Sequence, residues 1–446
     1  MEKLFGTDGI RGVANRDLTP ELAYRIGRIT AWMLGRDNEN QLFVVGRDTR
    51  LSGTMLEGSL TAGINSVGGE VRQLGVISTP AVAYLTKTLK ASAGIMISAS
   101  HNPIEDNGLK IFSKNGFKLP DSLEDEIEKY YWQENDSLPR PEGNELGQAF
   151  YDGEAVQKYL DYLKANSSSL EGLKLVIDCA HGSASRVAGE LLQQLGAEIV
   201  TIHDEPDGSK INVACGATDT ADLQQTVLKT GASLGLAFDG DADRLIAVDE
   251  KGHIVDGDAV MMICAINMAQ KKCLNKNTLV ATVMSNGGLD ILAEKHGLKV
   301  IRTKVGDRYV LEKMIEGGYN LGGEQSGHII FSDHATTGDG LLTALNLLSV
   351  VKEQSEPLSK LASSLERLPQ VLVNQRVATK VGFHDNKRIK EAINKIEQEL
   401  GKRGRILVRP SGTEAKIRIM LEASLDEEKL KEYANELAGI IDKEQS

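Results

Sequence analysis

A chain of 446 residues is too long for one ordinary hydrophobic core and predicts about three domains, with two or four nearly as compatible. Its net charge of −12 excludes a nucleic-acid binder that works through a broad basic face, although local clusters of arginine and lysine can still hold a small anion. The amino terminus turns polar at Glu2-Lys3, and the longest apolar run already contains Asn267. The cysteines Cys179, Cys215, Cys264 and Cys273 lack CxxC spacing, so a cytoplasmic protein without disulfide framework, zinc site, membrane or nucleic-acid partner is expected.

In chain order, Phe5-Gly6-Thr7-Asp8-Gly9-Ile10-Arg11-Gly12 combines glycines with one arginine and suggests backbone folded closely around an anion. A helix follows, capped by Thr19, with Pro20 in its first turn and Leu22, Ile26, Ile29 and Met33 on one face. The strand 42–45, the basic loop Gly46-Arg47-Asp48-Thr49-Arg50 and a helix over 54–67 form a βα unit. The same order recurs from Leu173 and again from Thr278, each time strand, polar loop, helix, glycine, strand. Little residue identity accompanies this repeat, which predicts three related α/β domains with mixed sheets. Residues 135–147, rich in Pro, Asn, Glu and Gly, read as a linker or long surface loop. From Gln370 the pattern changes to a smaller α+β unit. The expected domains are 1–152, 153–252, 253–367 and 368–446.

Chemistry concentrates in a few loops. The apolar run Ala93 to Ile97 empties into Ser98-Ala99-Ser100-His101-Asn102-Pro103, which delivers polar groups to the edge of a core. Ser100 is read as a nucleophile that carries a phosphoryl group, activated by His101, a metal or a lysine; a plain Ser/Asn turn is the alternative. Lys110, in Asn107-Gly108-Leu109-Lys110, is a candidate proton-transfer lysine if desolvated beside cations, or else an exposed ion-pairing one. Between two apolar strands lies Asp239-Gly240-Asp241-Ala242-Asp243-Arg244, whose three carboxylates require a cation to stay ionised. Arg244 stands where an EF-hand needs glycine, and the flanks read as strands, so a Mg²⁺ site completed by a phosphate oxygen is favoured over a calcium loop. In Gly322-Gly323-Glu324-Gln325-Ser326-Gly327-His328, Glu324, Ser326 and His328 alternate, so an extended backbone is expected to present all three on one face, suited to sugar hydroxyls. Arg409-Pro410-Ser411-Gly412-Thr413-Glu414, with Arg418 beyond it, forms a candidate phosphate clamp or else a capped turn.

These segments stand together in the order found in the α-D-phosphohexomutase superfamily, and the chain resembles most its bacterial branch acting on glucosamine phosphates, on the strength of SASHNP, GEQSGH and the Lys304 to Tyr309 segment. The resemblance spans nearly the whole sequence. It implies three mixed-sheet α/β domains plus a C-terminal α+β domain around a central cleft, each contributing a loop. It also implies that Ser100 is the phosphoserine, that Asp239, Asp241, Asp243 and the phosphorylated Ser100 hold one Mg²⁺, and that Glu324 and Ser326 touch sugar hydroxyls. Arg409, Ser411, Gly412, Thr413 and Arg418 would grip the non-reacting phosphate. Arg11, Lys110, Arg244 and His328 would lie near the transferred phosphoryl group, with His101 shaping the loop. The implied reaction interconverts glucosamine 6-phosphate and glucosamine 1-phosphate through glucosamine 1,6-bisphosphate, toward UDP-N-acetylglucosamine and cell-wall synthesis, in a possible homodimer. A mannose or glucose phosphate mutase, a silent sugar-phosphate sensor and a Mg²⁺-dependent phosphatase are the alternatives.

Overall fold

A computed structural model describes residues 3–6, 8–36, 41–401, 404–410 and 416–445, apart from the side chain of His384. Two compact units arise, one from Met1–Met284 with Leu298–Ser363, the other from Ser285–Gly297 with Ser364–Ser446. Among the described residues no helix is long and apolar enough to cross a membrane.

The first unit contains three sheets. The opening one is built from β1 (Phe5–Gly6), β2 (Gly9–Val13), β3 (Leu42–Arg47), β4 (Glu70–Val76), β5 (Ala93–Ile97), β6 (Asp106–Ser113) and β7 (Ala149–Tyr151), in the order β1-β2-β6-β5-β3-β4-β7. The second takes β8 (Lys174–Asp178), β9 (Glu198–Ile202), β10 (Leu234–Phe238), β11 (Leu245–Asp249) and β12 (Ile254–Val255), in the order β12-β11-β10-β8-β9. The third takes β13 (Thr278–Thr282), β14 (Lys299–Thr303), β15 (Leu321–Gly323) and β16 (Ile329–Phe331), in the order β14-β13-β15-β16. One motif recurs in all of them. Parallel strands end in an antiparallel pair, β5 with β6, β10 with β11 and β15 with β16, and the connection inside that pair is a chemistry-bearing loop. The central strands are apolar because both faces are covered: every residue of β5, β10, β11 and β13 is buried.

Local signals account for the first helices. In α1 (Pro20–Gly35) the Thr19 hydroxyl accepts from Leu22 N–H at 3.2 Å, and Leu22, Ile26, Ile29 and Met33 form the buried face. α2 (Gly53–Asn65) crosses α1 at very short range, because Gly27 and Gly63 lack side chains. A Cβ at Gly63 would stand 2.1 Å from the Tyr24 carbonyl oxygen, and one at Gly27 would stand 2.5 Å from that of Leu60.

Several expectations change. The segment around Gly6 and Gly9 is a short hairpin, β1 against β2, and β2 joins the sheet beside β6. The NGLK segment is part of β6, which pairs Lys110 with Met96. The loop at 135–147 leads into β7, an edge strand parallel to β4.

The second unit holds β17 (Gln370–Arg376), β18 (Gly404–Pro410) and β19 (Lys416–Ala423), antiparallel in the order β17-β19-β18, with helices Lys387–Leu400 and Glu427–Glu444. Fully buried Glu422 joins the 285–297 segment to this sheet, accepting from Gly287 N–H at 2.7 Å and Arg405 Nε at 3.0 Å.

The α1/α2 crossing makes a paired prediction. Gly63→Ala should destabilise the protein by about 1–3 kcal/mol through backbone overpacking. Gly58→Ala, on the same helix with nothing within 4 Å of the new Cβ, should stabilise it by roughly 0.5–1 kcal/mol. Apparent Tm values of the two variants, moving in opposite directions, check this.

Candidate active site

The site is assembled from the turns of two antiparallel pairs, with a contribution from the third. β5 ends at Ile97 and hands the chain to Ser98, Ala99 and Ser100, all buried. Ser100 adopts φ +54°, the left-handed region that costs an ordinary residue about 1–2 kcal/mol. Its Oγ donates to Asp239 Oδ2 at 2.6 Å and lies 3.2 Å from His101 Nδ1. Asp239 opens the β10–β11 connection, so the serine meets the acidic loop directly.

Asp239, Asp241 and Asp243 are all buried, and they offer oxygens within 4.8 Å of one another. Burial, then Asp243 and Asp241, push the Asp239 carboxyl well above the usual range. Burial also opposes charge on Asp243, but Lys110, His328 and Arg244 outweigh it and hold that carboxyl well below the usual range. Among the described residues Asp241 Oδ1 is buried without a hydrogen-bond partner, and Asp243 Oδ1 is approached no closer than 3.5 Å, by His328 Nδ1. A triad of hard oxygen donors with such open acceptors fits a divalent cation.

Cationic groups line the triad. Lys110, 1% exposed, places Nζ 2.7 Å from Asp241 Oδ2, 3.1 Å from Asp243 Oδ2 and 3.5 Å from Asp8 Oδ2. Burial disfavours its charge, yet the carboxylates prevail and raise its pKa well above that of a free lysine. The sequence reading of Lys110 as a proton-transfer lysine desolvated beside cations meets burial but a different setting: carboxylates dominate around Lys110 and keep it an ammonium. The Arg244 backbone N–H donates to Asp239 Oδ1 at 3.2 Å, and its Nε lies 3.8 Å from Asp243 Oδ1. Arg11 donates Nη1 to Asn102 Oδ1 at 3.2 Å and pairs through Nη2 with Asp8. His101 is held neutral, its pKa lowered to about 4 by burial and by Arg244 and Arg11.

The third turn contributes His328. Its Nδ1 lies 3.5 Å from Asp243 Oδ1 and its Nε2 accepts from Gly338 N–H at 3.0 Å. That donor places the proton of a neutral ring on Nδ1, toward the carboxylate. Burial lowers the His328 pKa, but Asp243 and Asp307 outweigh it, and the net direction is upward. Glu324, Ser326 and His328 do not share one face of a strand. Glu324 N–H and Gly327 N–H close a turn between β15 and β16, leaving Ser326 exposed while His328 is buried. Glu324 Oε1 instead accepts from Gly306 N–H at 3.1 Å.

Arg409 and Arg418 belong to the second unit, directly opposite one another on β18 and β19. Partial burial and then the Arg418 charge lower the Arg409 pKa. Ser411, Gly412 and Thr413 lie outside the described residues.

Sequence reasoning missed several partners. Thr79 donates its hydroxyl to Asp241 Oδ2 and its N–H to the Asp241 carbonyl at 3.0 Å. Asp8 gathers Arg11, Lys110 and Lys118, and Lys118 also pairs with Asp307. Asp8 sat within a motif already singled out, whereas nothing local marked Thr79 or Lys118.

Family models for phosphoglucomutase/phosphomannomutase match the chain at residues 2–137 (alpha/beta/alpha domain I), 157–252 (domain II), 256–368 (domain III) and 372–440 (C-terminal domain). A phosphoglucosamine mutase of Desulforamulus reducens is 53% identical over 442 residues, 99% of each chain. Among solved structures, a phosphoglucomutase/phosphomannomutase family protein from Burkholderia thailandensis aligns with TM-score 0.83 at 24% identity, over 98% of this chain and 96% of that one. The N-acetylphosphoglucosamine mutase of Aspergillus fumigatus, solved with GlcNAc-6P and magnesium, aligns with TM-score 0.73 at 18% identity, over 99% and 96% of the two chains. With every domain matched in order and half the residues shared with a relative along its full length, the chain belongs to the phosphoglucomutase/phosphomannomutase family, in its phosphoglucosamine mutase branch.

Proposed function

We propose that this protein interconverts glucosamine 6-phosphate and glucosamine 1-phosphate, with Ser100 as phosphoryl carrier and glucosamine 1,6-bisphosphate as intermediate. The observation that carries this reading is the 2.6 Å hydrogen bond from Ser100 Oγ to Asp239, at the head of a buried carboxylate triad. In the forward direction the phosphorus–Oγ bond of phosphorylated Ser100 breaks as a bond forms to the sugar O1, whose hydroxyl proton passes to the protein. The bisphosphate then presents its other end. Ser100 Oγ attacks the phosphorus on O6, the phosphorus–O6 bond breaks, and a proton returned to O6 completes glucosamine 1-phosphate.

Lys110 and His328 are both bound to the carboxylate network: His328 takes up the O1 hydroxyl proton and later returns one to O6, while Lys110, entering as the ammonium, gives a proton to the departing Ser100 Oγ and recovers it when Oγ attacks. Arg11 and Arg244 offset charge that develops on the phosphoryl oxygens. His101, neutral beside Ser100 Oγ, shapes the loop. Glu324 and Ser326 are assigned to sugar hydroxyls. The facing guanidiniums of Arg409 and Arg418 suit a phosphate dianion, a role extended to Ser411, Gly412 and Thr413. Mg²⁺, held by Asp239, Asp241, Asp243 and an oxygen of the phosphoserine, would supply Lewis-acid stabilisation of the phosphoryl group. A cytoplasmic homodimer feeding UDP-N-acetylglucosamine and cell-wall synthesis completes the proposal.

Ser100→Ala should lower glucosamine 1-phosphate formation in a coupled assay by about 10³-fold or more, and should abolish the mass increment that a hexose bisphosphate leaves on the wild-type chain. Activity surviving unchanged would refute the carrier role. Chelation by EDTA should likewise suppress turnover, and excess Mg²⁺ should restore it. For substrate choice, kcat/KM should favour glucosamine 6-phosphate over glucose and mannose 6-phosphates by at least about tenfold, a difference of roughly 1.4 kcal/mol. Equal efficiency on the neutral hexoses would overturn the amino-sugar assignment, and rapid release of inorganic phosphate would point to a phosphatase.

A further inference from the structure

The segment Gly46-Arg47-Asp48-Thr49-Arg50, the end of β3 and the loop that follows it, takes no part in the chemistry above, yet it carries two deeply buried charges. Asp48 is 0% and Arg50 is 1% exposed. Buried charges of opposite sign are costly to keep unless hydrogen bonds satisfy them. Here the bonds go to the loop that bears Ser100. Arg50 Nη2 donates to the Ser100 carbonyl at 3.1 Å and to that of Asn102 at 2.8 Å, while Nη1 donates to the carbonyls of Asp106, at 2.9 Å, and Pro103. One planar guanidinium thus binds main-chain carbonyls spread from Ser100 to the start of β6 at Asp106, a fork of donors that the compact ammonium of lysine lacks.

A second path returns to the same serine. Arg50 Nε donates to Asp48 Oδ2 at 3.1 Å, and that oxygen also accepts from Ser98 Oγ at 2.6 Å. Ser98 Oγ in turn accepts from Ser100 N–H at 2.8 Å. Both main-chain polar groups of Ser100 are therefore tied to the Asp48–Arg50 pair, its carbonyl directly and its N–H through Ser98. Asn212 Nδ2 adds a further bond to the Ser100 carbonyl at 2.9 Å. The residue held in this way is a non-glycine at φ +54°, a conformation that persists only where its surroundings enforce it.

We infer that Arg50, with Asp48 and Ser98, is a positioning residue for phosphoryl transfer: its guanidinium locks Ser100 in the left-handed backbone conformation that aims Oγ at the acidic triad. This inference rests on the reading of Ser100 as phosphoryl carrier. Arg50 touches neither substrate nor reacting atoms. Its loss therefore acts on the rate of the chemical step and leaves ground-state binding of the sugar phosphate in place.

The test compares wild type, Arg50→Lys and Ser98→Ala, each as the full chain, by steady-state kinetics on glucosamine 6-phosphate. Intact-mass measurement follows Ser100 phosphorylation by glucose 1,6-bisphosphate over time. In Arg50→Lys, kcat should fall by about 10²-fold with KM within about threefold, and phosphorylation of Ser100 should slow in parallel. Ser98→Ala keeps the guanidinium and removes one link, so it should show the same pattern at about tenfold. A structural role alone would lower Tm or the active fraction while leaving kcat per phosphorylatable chain unchanged, and that result would overturn the inference. Should Arg50→Lys fail to fold, Ser98→Ala decides by the same criteria. Wild type that never accepts a phosphoryl group would refute the carrier role itself. Wild type that accepts it while both variants match its kcat would refute only the positioning role.

Discussion

Three carboxylates share one small buried volume, and the rest of the site answers that fact. At separations within 4.8 Å, each pair of full charges would repel by about 3 kcal/mol even at an effective dielectric of about 20. Three such pairs rival the whole stability of an ordinary domain. The fold meets the repulsion with an ammonium, a guanidinium and an imidazole drawn from separate strands and turns, and with an arrangement of oxygens suited to a divalent ion. A serine hydroxyl directed at the same carboxylates gains a setting in which added phosphoryl charge has cations waiting for it.

Such convergence is possible because one strand arrangement is used three times. β4-β3-β5-β6, β9-β8-β10-β11 and β14-β13-β15-β16 are the same order, and each ends in an antiparallel pair with a functional turn. The paired strand also returns useful groups. β6 runs back beside β5 and sets Lys110 against Met96, which places the amine over the triad.

Much of this was legible in the sequence. The apolar runs, the glycine-punctuated repeat and the two loops around Ser100 and Asp239 predicted the elements that became the site, because strands buried on both faces leave a continuous apolar signature. Alternation misled at Glu324, Ser326 and His328. Period two places residues on one face only while the backbone is extended, and Gly327, at φ +91°, turns it. The contacts of Arg50, Thr79 and Lys118 were invisible for another reason: each reaches a partner 50 or more positions away, and no local pattern encodes such a pairing. The surroundings of Lys110 belong to the same class, since Asp241 and Asp243 lie more than 130 positions further along the chain.

The threefold strand order also bears on how a protein of this kind can change. Each turn hangs from its own sheet, whose packing is settled by apolar strands that the turn residues do not enter. The turn between β15 and β16 is still tied to its neighbour, because His328 reaches Asp243 and the Gly327 carbonyl accepts from Leu245 N–H at 3.1 Å. Selection acting on such a turn is therefore free at exposed Ser326 and constrained at buried Gly327 and His328, so variation on this one architecture concentrates where a turn meets solvent.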